Sequence, residues 1–580
     1  MKWNRTLVLA AAIGLLFAAG CNKPEGGAEG TAAGKEAVKA AVAEMKAPAF
    51  MELIPAETPY VFANLQPMPK SAVDKIFSAL GPALASLEAQ IDNELKNNAN
   101  PETDQDKVGK AVLEELKGNL NRAGLEKMGF SFETRFALYG NGVLPTFRLG
   151  LKDPAALKAA VARVEQKAGV KAPVQKAGDQ EYWSVTNDGM TIVFAIVGEE
   201  FVLGFAPEQA AAKVVPMILG TEKPAKSLAS AGTLAKVMQE NGFAGYGTGY
   251  IDTMAIADTI LGQGAGLNGE IWKAMGSPVP AVDDVCKTEI KGLVSNAPRV
   301  VFGYDDLSDK QWNTTFIIET KPALAKELAS LVAPVPGLGE SPDALMTFGL
   351  GVQIQKGLDF VKAKVGAVKA APYQCQMLAD FNSGIMEMDE GLQEAALPPA
   401  VTNMRGFNVV VLDGEFGGAM PKNVKGHALL ATEKPEELLI MAKGMIPPLA
   451  SFELKNDGKA VALPPGLLPP MVENPHVAMN DKGIAFSVGA GAEQGLGAVL
   501  NAKAPTDAPL FAFGYDVGKF MTMVQKQTEA MMAGMPPEMQ EEQKREMAAT
   551  LGVAKVFGMV HTTVRLSDKG IVIKQRMQLN

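Results

Sequence analysis

Residues 300–322 read VVFGYDDLSDKQWNTTFIIETKP. Two apolar runs, Val300–Tyr304 and Trp312–Glu319, flank Leu307-Ser308-Asp309-Lys310, and Lys321-Pro322 follows. Ser and Asp bond their own backbone and hold tight turns. The stretch therefore predicts a β-hairpin, and Pro322 predicts a helix whose first N–H would have lacked a partner in any case. The unit recurs at the end of the chain, where Val560–Arg565 and Ile571–Met577 flank Leu566-Ser567-Asp568-Lys569-Gly570. The same tetrapeptide thus stands 259 residues further on, at 566 against 307.

Similar units lie between and before these two. Arg135–Tyr139 and Val143–Leu151 flank Asn141-Gly142, a hairpin signal, before Asp153-Pro154. Phe407–Leu412 and His427–Leu430 form a looser pair before Lys434-Pro435. Four apolar runs read as strands leading into helices: Tyr60–Leu65, Phe243–Tyr250, Leu345–Leu350 and Leu510–Tyr515, with Asp252 and Asp516 placed to cap the second and fourth helices. Phe201-Val202-Leu203-Gly204 before Glu208-Gln209 mirrors Phe486-Ser487-Val488-Gly489 before Glu493-Gln494, an offset of 285, and Phe62 and Phe348 stand 286 apart. Matches in the same order along the chain predict an internal duplication with halves at 47–338 and 339–580. Hairpins with helices between them predict an α+β fold, its antiparallel sheets covered by helices on one face.

Composition narrows the function. Of 580 residues, 47% are apolar and 21% charged, enough for a large core, and the net charge of −9 argues against a nucleic-acid partner held by counterion release. Lys2 and Arg5 precede an apolar run from Leu7 to Phe17, which is shorter than a membrane-spanning helix requires. Ala18-Ala19-Gly20-Cys21 then follows, and the arrangement resembles the lipobox of bacterial lipoproteins. The resemblance implies a signal peptide over 1–20 and acylation (palmitate among the chains) of Cys21. Asn22 rather than Asp after the cysteine favours an outer-membrane anchor facing the periplasm. Residues 21–46, rich in Gly, Ala, Glu and Lys, read as a flexible tether. Leu53-Ile54-Pro55-Ala56-Glu57-Thr58-Pro59 resembles the opening of large exported bacterial proteins of unknown function, which implies no activity. The two remaining cysteines, Cys286 and Cys375, are expected to be joined in an oxidising compartment, with two separate buried thiols as the alternative.

Catalytic motifs are sparse. Gly264-Ala265-Gly266-Leu267-Asn268-Gly269 fits a dinucleotide-binding pattern by letter but follows a helical stretch and reads as a loop. Gly489, Gly491 and Gly495 follow a strand with the last spacing one residue too long. The three histidines, His427, His476 and His561, are far apart in the chain and read as structural or exposed, although such residues can converge in space. Methionine is the compositional oddity, and Met521, Met523, Met531, Met532 and Met535 crowd one stretch. Core packing, an apolar binding surface and a Cu(I) site all remain open for them. No cofactor is expected. The resulting expectation is a lipid-anchored envelope protein that binds or scaffolds without catalysis. Its partner would be an envelope protein or a hydrophobic ligand. The alternatives are a carrier of lipid or another apolar ligand, which needs a closed apolar cavity, and an enzyme with an unrecognised site.

Overall fold

The computed structural model describes residues 47–97, 101–276, 282–339, 344–394, 397–415, 422–469, 472–532 and 556–580, with a few positions between 533 and 555. The expected signal segment, Cys21 and the tether lie outside the described residues.

The chain opens with β1 (Tyr60–Asn64), then α1 (Lys70–Asn97), α2 (Asp104–Leu116) and α3 (Arg122–Lys127). The hairpin β2 (Phe136–Asn141) and β3 (Leu144–Gly150) leads into α4 (Pro154–Ala168). A meander follows, β4 (Val174–Ala177), β5 (Gln180–Asn187), β6 (Met190–Val197) and β7 (Glu200–Pro207), then α5 (Ala211–Leu219) and α6 (Thr233–Asn241). After β8 (Thr248–Asp252) come α7 (Thr253–Ile260), α8 (Gly266–Ala274) and α9 (Asp284–Val294), the hairpin β9 (Arg299–Leu307) and β10 (Gln311–Glu319), and α10 (Pro322–Ala329). The second half runs β11 (Met346–Gly351), α11 (Ile354–Ala370), α12 (Ala379–Glu394), β12 (Met404–Glu415), β13 (Lys422–Thr432) and α13 (Pro435–Met445). It continues through β14 (Val461–Ala462), β15 (His476–Asn480), β16 (Gly483–Val488), α14 (Leu496–Asn501), β17 (Phe511–Asp516) and α15 (Val517–Met532) to the hairpin β18 (Phe557–Ser567) and β19 (Gly570–Leu579).

The sequence signals act where they were read. Pro154, Pro322 and Pro435 sit in the first turns of α4, α10 and α13. Asp252 accepts the Ala255 N–H at 2.8 Å, and Asp516 accepts that of Lys519 at 2.9 Å. The meander over 174–207 was read only at Phe201–Gly204, although Asp188-Gly189 between β5 and β6 is a hairpin signal of the same kind as Asn141-Gly142. Its turns place Gly178, Gly189 and Gly198 at positive φ, where a side chain would be strained.

Among the described residues nineteen strands join one antiparallel sheet, so the fold is α+β. Following the pairings, its spatial order is β4-β5-β6-β7-β3-β2-β1-β8-β9-β10-β19-β18-β17-β11-β12-β13-β16-β15-β14. Outward from the β10–β19 junction the order reads alike on both sides, with β4 as one extra strand at its edge. β1 and β11 hold corresponding places, as do β7 and β16, and the hairpins β9–β10 and β18–β19. At the centre β10 pairs with β19, and Thr315 lies opposite Lys574, which are themselves 259 residues apart. Both outer edges are short, four residues in β4 and two in β14, which limits their capacity to recruit another strand.

Helices cover both faces of the first half, not one as expected. Alternate residues of a strand point to opposite faces. Val61, Ala63 and Ala137 pack on one side with Leu234 and Met238 of α6, while on the other side Phe136, Phe147 and Leu149 pack with Ile91 of α1, Leu116 of α2 and Leu157 of α4. The cause is the number of helices inserted between successive strands: α1–α3 separate β1 from β2, and α5–α6 separate β7 from β8. Each insertion can cover only the face it emerges on.

Candidate functional site

The helices over the Phe62 face roof a partly open cavity of about 340 Å³. Each roof helix presents one apolar stripe to it. Val73, Ile76, Phe77, Leu80 and Leu84 of α1 recur at helical spacing, as do Val108, Val112 and Leu116 of α2 and Leu157, Ala160, Val161 and Val164 of α4. The floor is Phe136 of β2, Leu149 of β3, Phe201 of β7 and Phe194 of β6. These four strands are consecutive neighbours, so the floor spans roughly 14 Å across the sheet at about 4.8 Å per step.

The roof is held on its outer side by polar ties while its inner side stays apolar. Glu88 of α1 accepts the Gly118 and Leu120 N–H groups at 2.8 and 2.9 Å, just after α2. Lys117 meets Asp92 at 2.7 Å. Arg122 of α3 pairs with Asp74, Glu126 and Glu133. These ties set the helices at a fixed stand-off, and the side chains below do not fill the interval. A space lined by apolar groups offers water too few hydrogen bonds and accepts an apolar guest instead.

Two carboxylates reach the wall. Glu165 accepts the Ala172 N–H at 3.0 Å. Glu115 of α2 takes Arg163 on one oxygen, at 2.8 Å from Nε and 2.6 Å from Nη2, and Lys167 on the other at 2.9 Å. Burial raises the Glu115 pKa, but hydrogen bonds and charge from Arg163 and Lys167 outweigh it, leaving the group below the usual carboxylate range.

The residues singled out from sequence lie elsewhere. Cys286 and Cys375 form a disulfide, with Cα atoms 4.5 Å apart, joining the start of α9 to the segment after α11. Glu289 of α9 supports the junction by accepting the Gln374 and Cys375 N–H groups, each at 2.9 Å. Met532 is buried and Met521, Met523 and Met535 are half-buried; the Met531 side chain lies outside the described residues. None of these methionines borders the cavity. The sheet brings two histidines together that sequence separation had kept apart: His427 of β13 and His476 of β15 both pair with Ser487 of the strand between them. Yet His427 Nε2 is engaged by the Ala492 carbonyl at 2.8 Å, and buried Ser487 Oγ has no hydrogen-bond partner. His561 sits in β18 with its pKa lowered by burial and by Arg576 opposite. Among the described residues no three His, Cys, Asp or Glu groups are placed to hold a metal ion, and no helix is long and apolar enough to cross a membrane. Gly266–Gly269 open α8, where Asn268 donates to the Glu57 carbonyl at 3.2 Å.

The cavity was missed from sequence. Its signal was present in the stripes of α1, α2 and α4, but a stripe reports that a face is buried without reporting whether the buried side chains meet. No protein-family model, curated protein or solved structure matches this chain.

Proposed function

We propose that this chain is an exported, lipid-anchored envelope protein that carries a hydrophobic ligand without transforming it. The observation that supports this role is the apolar cavity of about 340 Å³ under α1, α2 and α4. A space of this volume falls at the small end of ligand pockets and suits an alkyl tail. A floor roughly 14 Å across accommodates an extended alkyl chain. The anchor at Cys21 would keep such a carrier at the membrane surface, where ligands of this kind partition.

The test uses the full chain with Cys21→Ser, which the export proposal predicts to leave the membrane fraction. Titration with the fluorescent hydrophobe N-phenyl-1-naphthylamine should show saturable binding that dodecanol displaces. Ala160→Phe places a ring in the cavity and should weaken binding at least tenfold while leaving the fold intact by circular dichroism. Equal binding by the two proteins would remove the cavity as the site.

A further inference from the structure

We infer that the carried ligand is a single-chain amphiphile with an anionic head, and that Arg163 and Lys167 receive the head where α2 meets α4. The assignment rests on the carrier role proposed above. Glu115 joins the inside of the cavity to the outside: its side chain lines the wall and is 11% exposed, while the two cations bound to it are 46% and 37% exposed. The apolar chamber is therefore within one side chain of water at this seam, and what stands there is positively charged on the outer side. Arg163 and Lys167 are one helical turn apart on α4, on the same flank of the helix whose Ala160 and Val164 face the chamber.

The donors are not exhausted by Glu115. A guanidinium carries five N–H groups and an ammonium three. Glu115 takes two groups from Arg163 and one from Lys167, which leaves donors on both for a second anion at the exposed side. A carboxylate or phosphate could bind there while its chain passes beside Glu115 into the chamber. A neutral head would forgo those charge-assisted bonds, and a cationic one would meet two like charges. Glu165, the other carboxylate of the wall, is held by a backbone N–H. At about 340 Å³ the cavity is at the small end of ligand pockets, which favours one tail over two.

The experiment compares dodecanoate, dodecyl phosphate, dodecanol and dodecyltrimethylammonium as competitors of N-phenyl-1-naphthylamine on the full chain with Cys21→Ser. All four are used at pH 7.5, below their self-association limits. At least one anion should compete tenfold or more tightly than dodecanol and the cation, and the better of the two anions identifies the head as carboxylate or phosphate. In Arg163→Gln/Lys167→Gln the preference should fall below threefold with dodecanol unchanged, and Glu115→Gln should tighten the anion by removing a like charge. Equal competition by dodecanol and both anions overturns the assignment and leaves the carrier role standing, as does a preference that survives in the double variant. If none of the four competes, the carrier role itself fails. The comparison among ligands needs no variant, so a misfolded variant does not spare the proposal.

Discussion

Arg148 of β3 has no exposed side-chain surface, yet it carries a charge, and its three contacts explain how. Nη1 donates to Glu200 at 2.8 Å, Nη2 to the Ile218 carbonyl at 2.6 Å and Nε to the Tyr139 hydroxyl at 3.3 Å. The Ile218 bond ties the sheet to the last turn of α5. His427 of β13 corresponds to it in the strand order, and it likewise bonds a carbonyl of the segment after the neighbouring strand, Ala492. Arg148→Met is expected to cost about 3 kcal/mol, since it strands partners of a buried charge; a urea midpoint within error of the parent would refute this. Glu115 makes a pH prediction. Its folded pKa lies below the unfolded value, so the unfolded chain binds more protons as pH falls. The stability it contributes is therefore full above the ordinary carboxylate pKa of about 4.3 and lost as pH drops through the lower folded value. Glu115→Gln should be less stable than the parent at pH 7, and the gap should narrow as pH falls below about 4.3, as read by urea unfolding across that range.

At the scale of elements, α4 both roofs the cavity and carries its cations, so its ends matter. Asp153 accepts the Ala155 and Ala156 N–H groups at 2.9 and 3.0 Å, Pro154 opens the helix, and Gly169 closes it at φ 67°. Asp153→Ala should cost about 1 kcal/mol. Because fraying at that end loosens the roof, ligand should also dissociate faster, which stopped-flow displacement of the fluorescent hydrophobe would register. Close strand packing sets a second limit. A Cβ on Gly249 of β8 would stand 1.9 Å from the Val61 carbonyl oxygen and 2.8 Å from the Phe302 ring. Gly249→Ala should therefore destabilise by about 3 kcal/mol or more through overpacking; near-parental thermal unfolding would contradict that placement.

The whole molecule is one sheet with one continuous apolar row on its Phe62 face. From β4 to β15, directly paired residues run Val174, Trp183, Phe194, Leu203, Phe147, Leu138, Phe62, Gly249, Phe302, Phe316, Ile573, Val564, Phe511, Leu350, Phe407, Leu430, Ile484 and Met479. Gly249 is the one gap. A mirrored strand order with an antiparallel join at β10–β19 leads us to propose that a duplicated unit turned by a half rotation built the sheet. One rotation should then carry Phe62 onto Phe348 and Ser308 onto Ser567 together; a crystal structure in which the two pairs need different rotations would refute the duplication. The Cys286–Cys375 bond crosses from one half to the other and closes a separation of 89 residues. Replacing both cysteines by Ser should cost about 4 kcal/mol in the chain-entropy account, and an unchanged unfolding midpoint in reducing and oxidising buffer would show that the bond contributes nothing.

Local chemistry was legible in the sequence because its causes are local. The Leu-Ser-Asp-Lys turns, the prolines opening α4, α10 and α13, and the caps at Asp252 and Asp516 depend on residues a few positions apart. The α+β class followed from them. The Cys286–Cys375 pairing was legible for a different reason: with Cys21 read as a lipid anchor, two cysteines remained, and two can make only one intramolecular bond. What the tertiary structure alone decided concerns residues distant in the chain. Fusion of the halves into one sheet depends on which hairpin edge meets which, and β10 and β19 hold partners some 260 residues apart. Coverage of both faces depends on where each inserted helix emerges. The cavity depends on how the roof helices are held to one another, which Glu88, Arg122 and Glu115 do through distant partners. Apolar spacing prescribes that a face is turned inward; only the assembled layers determine whether the space it faces is filled.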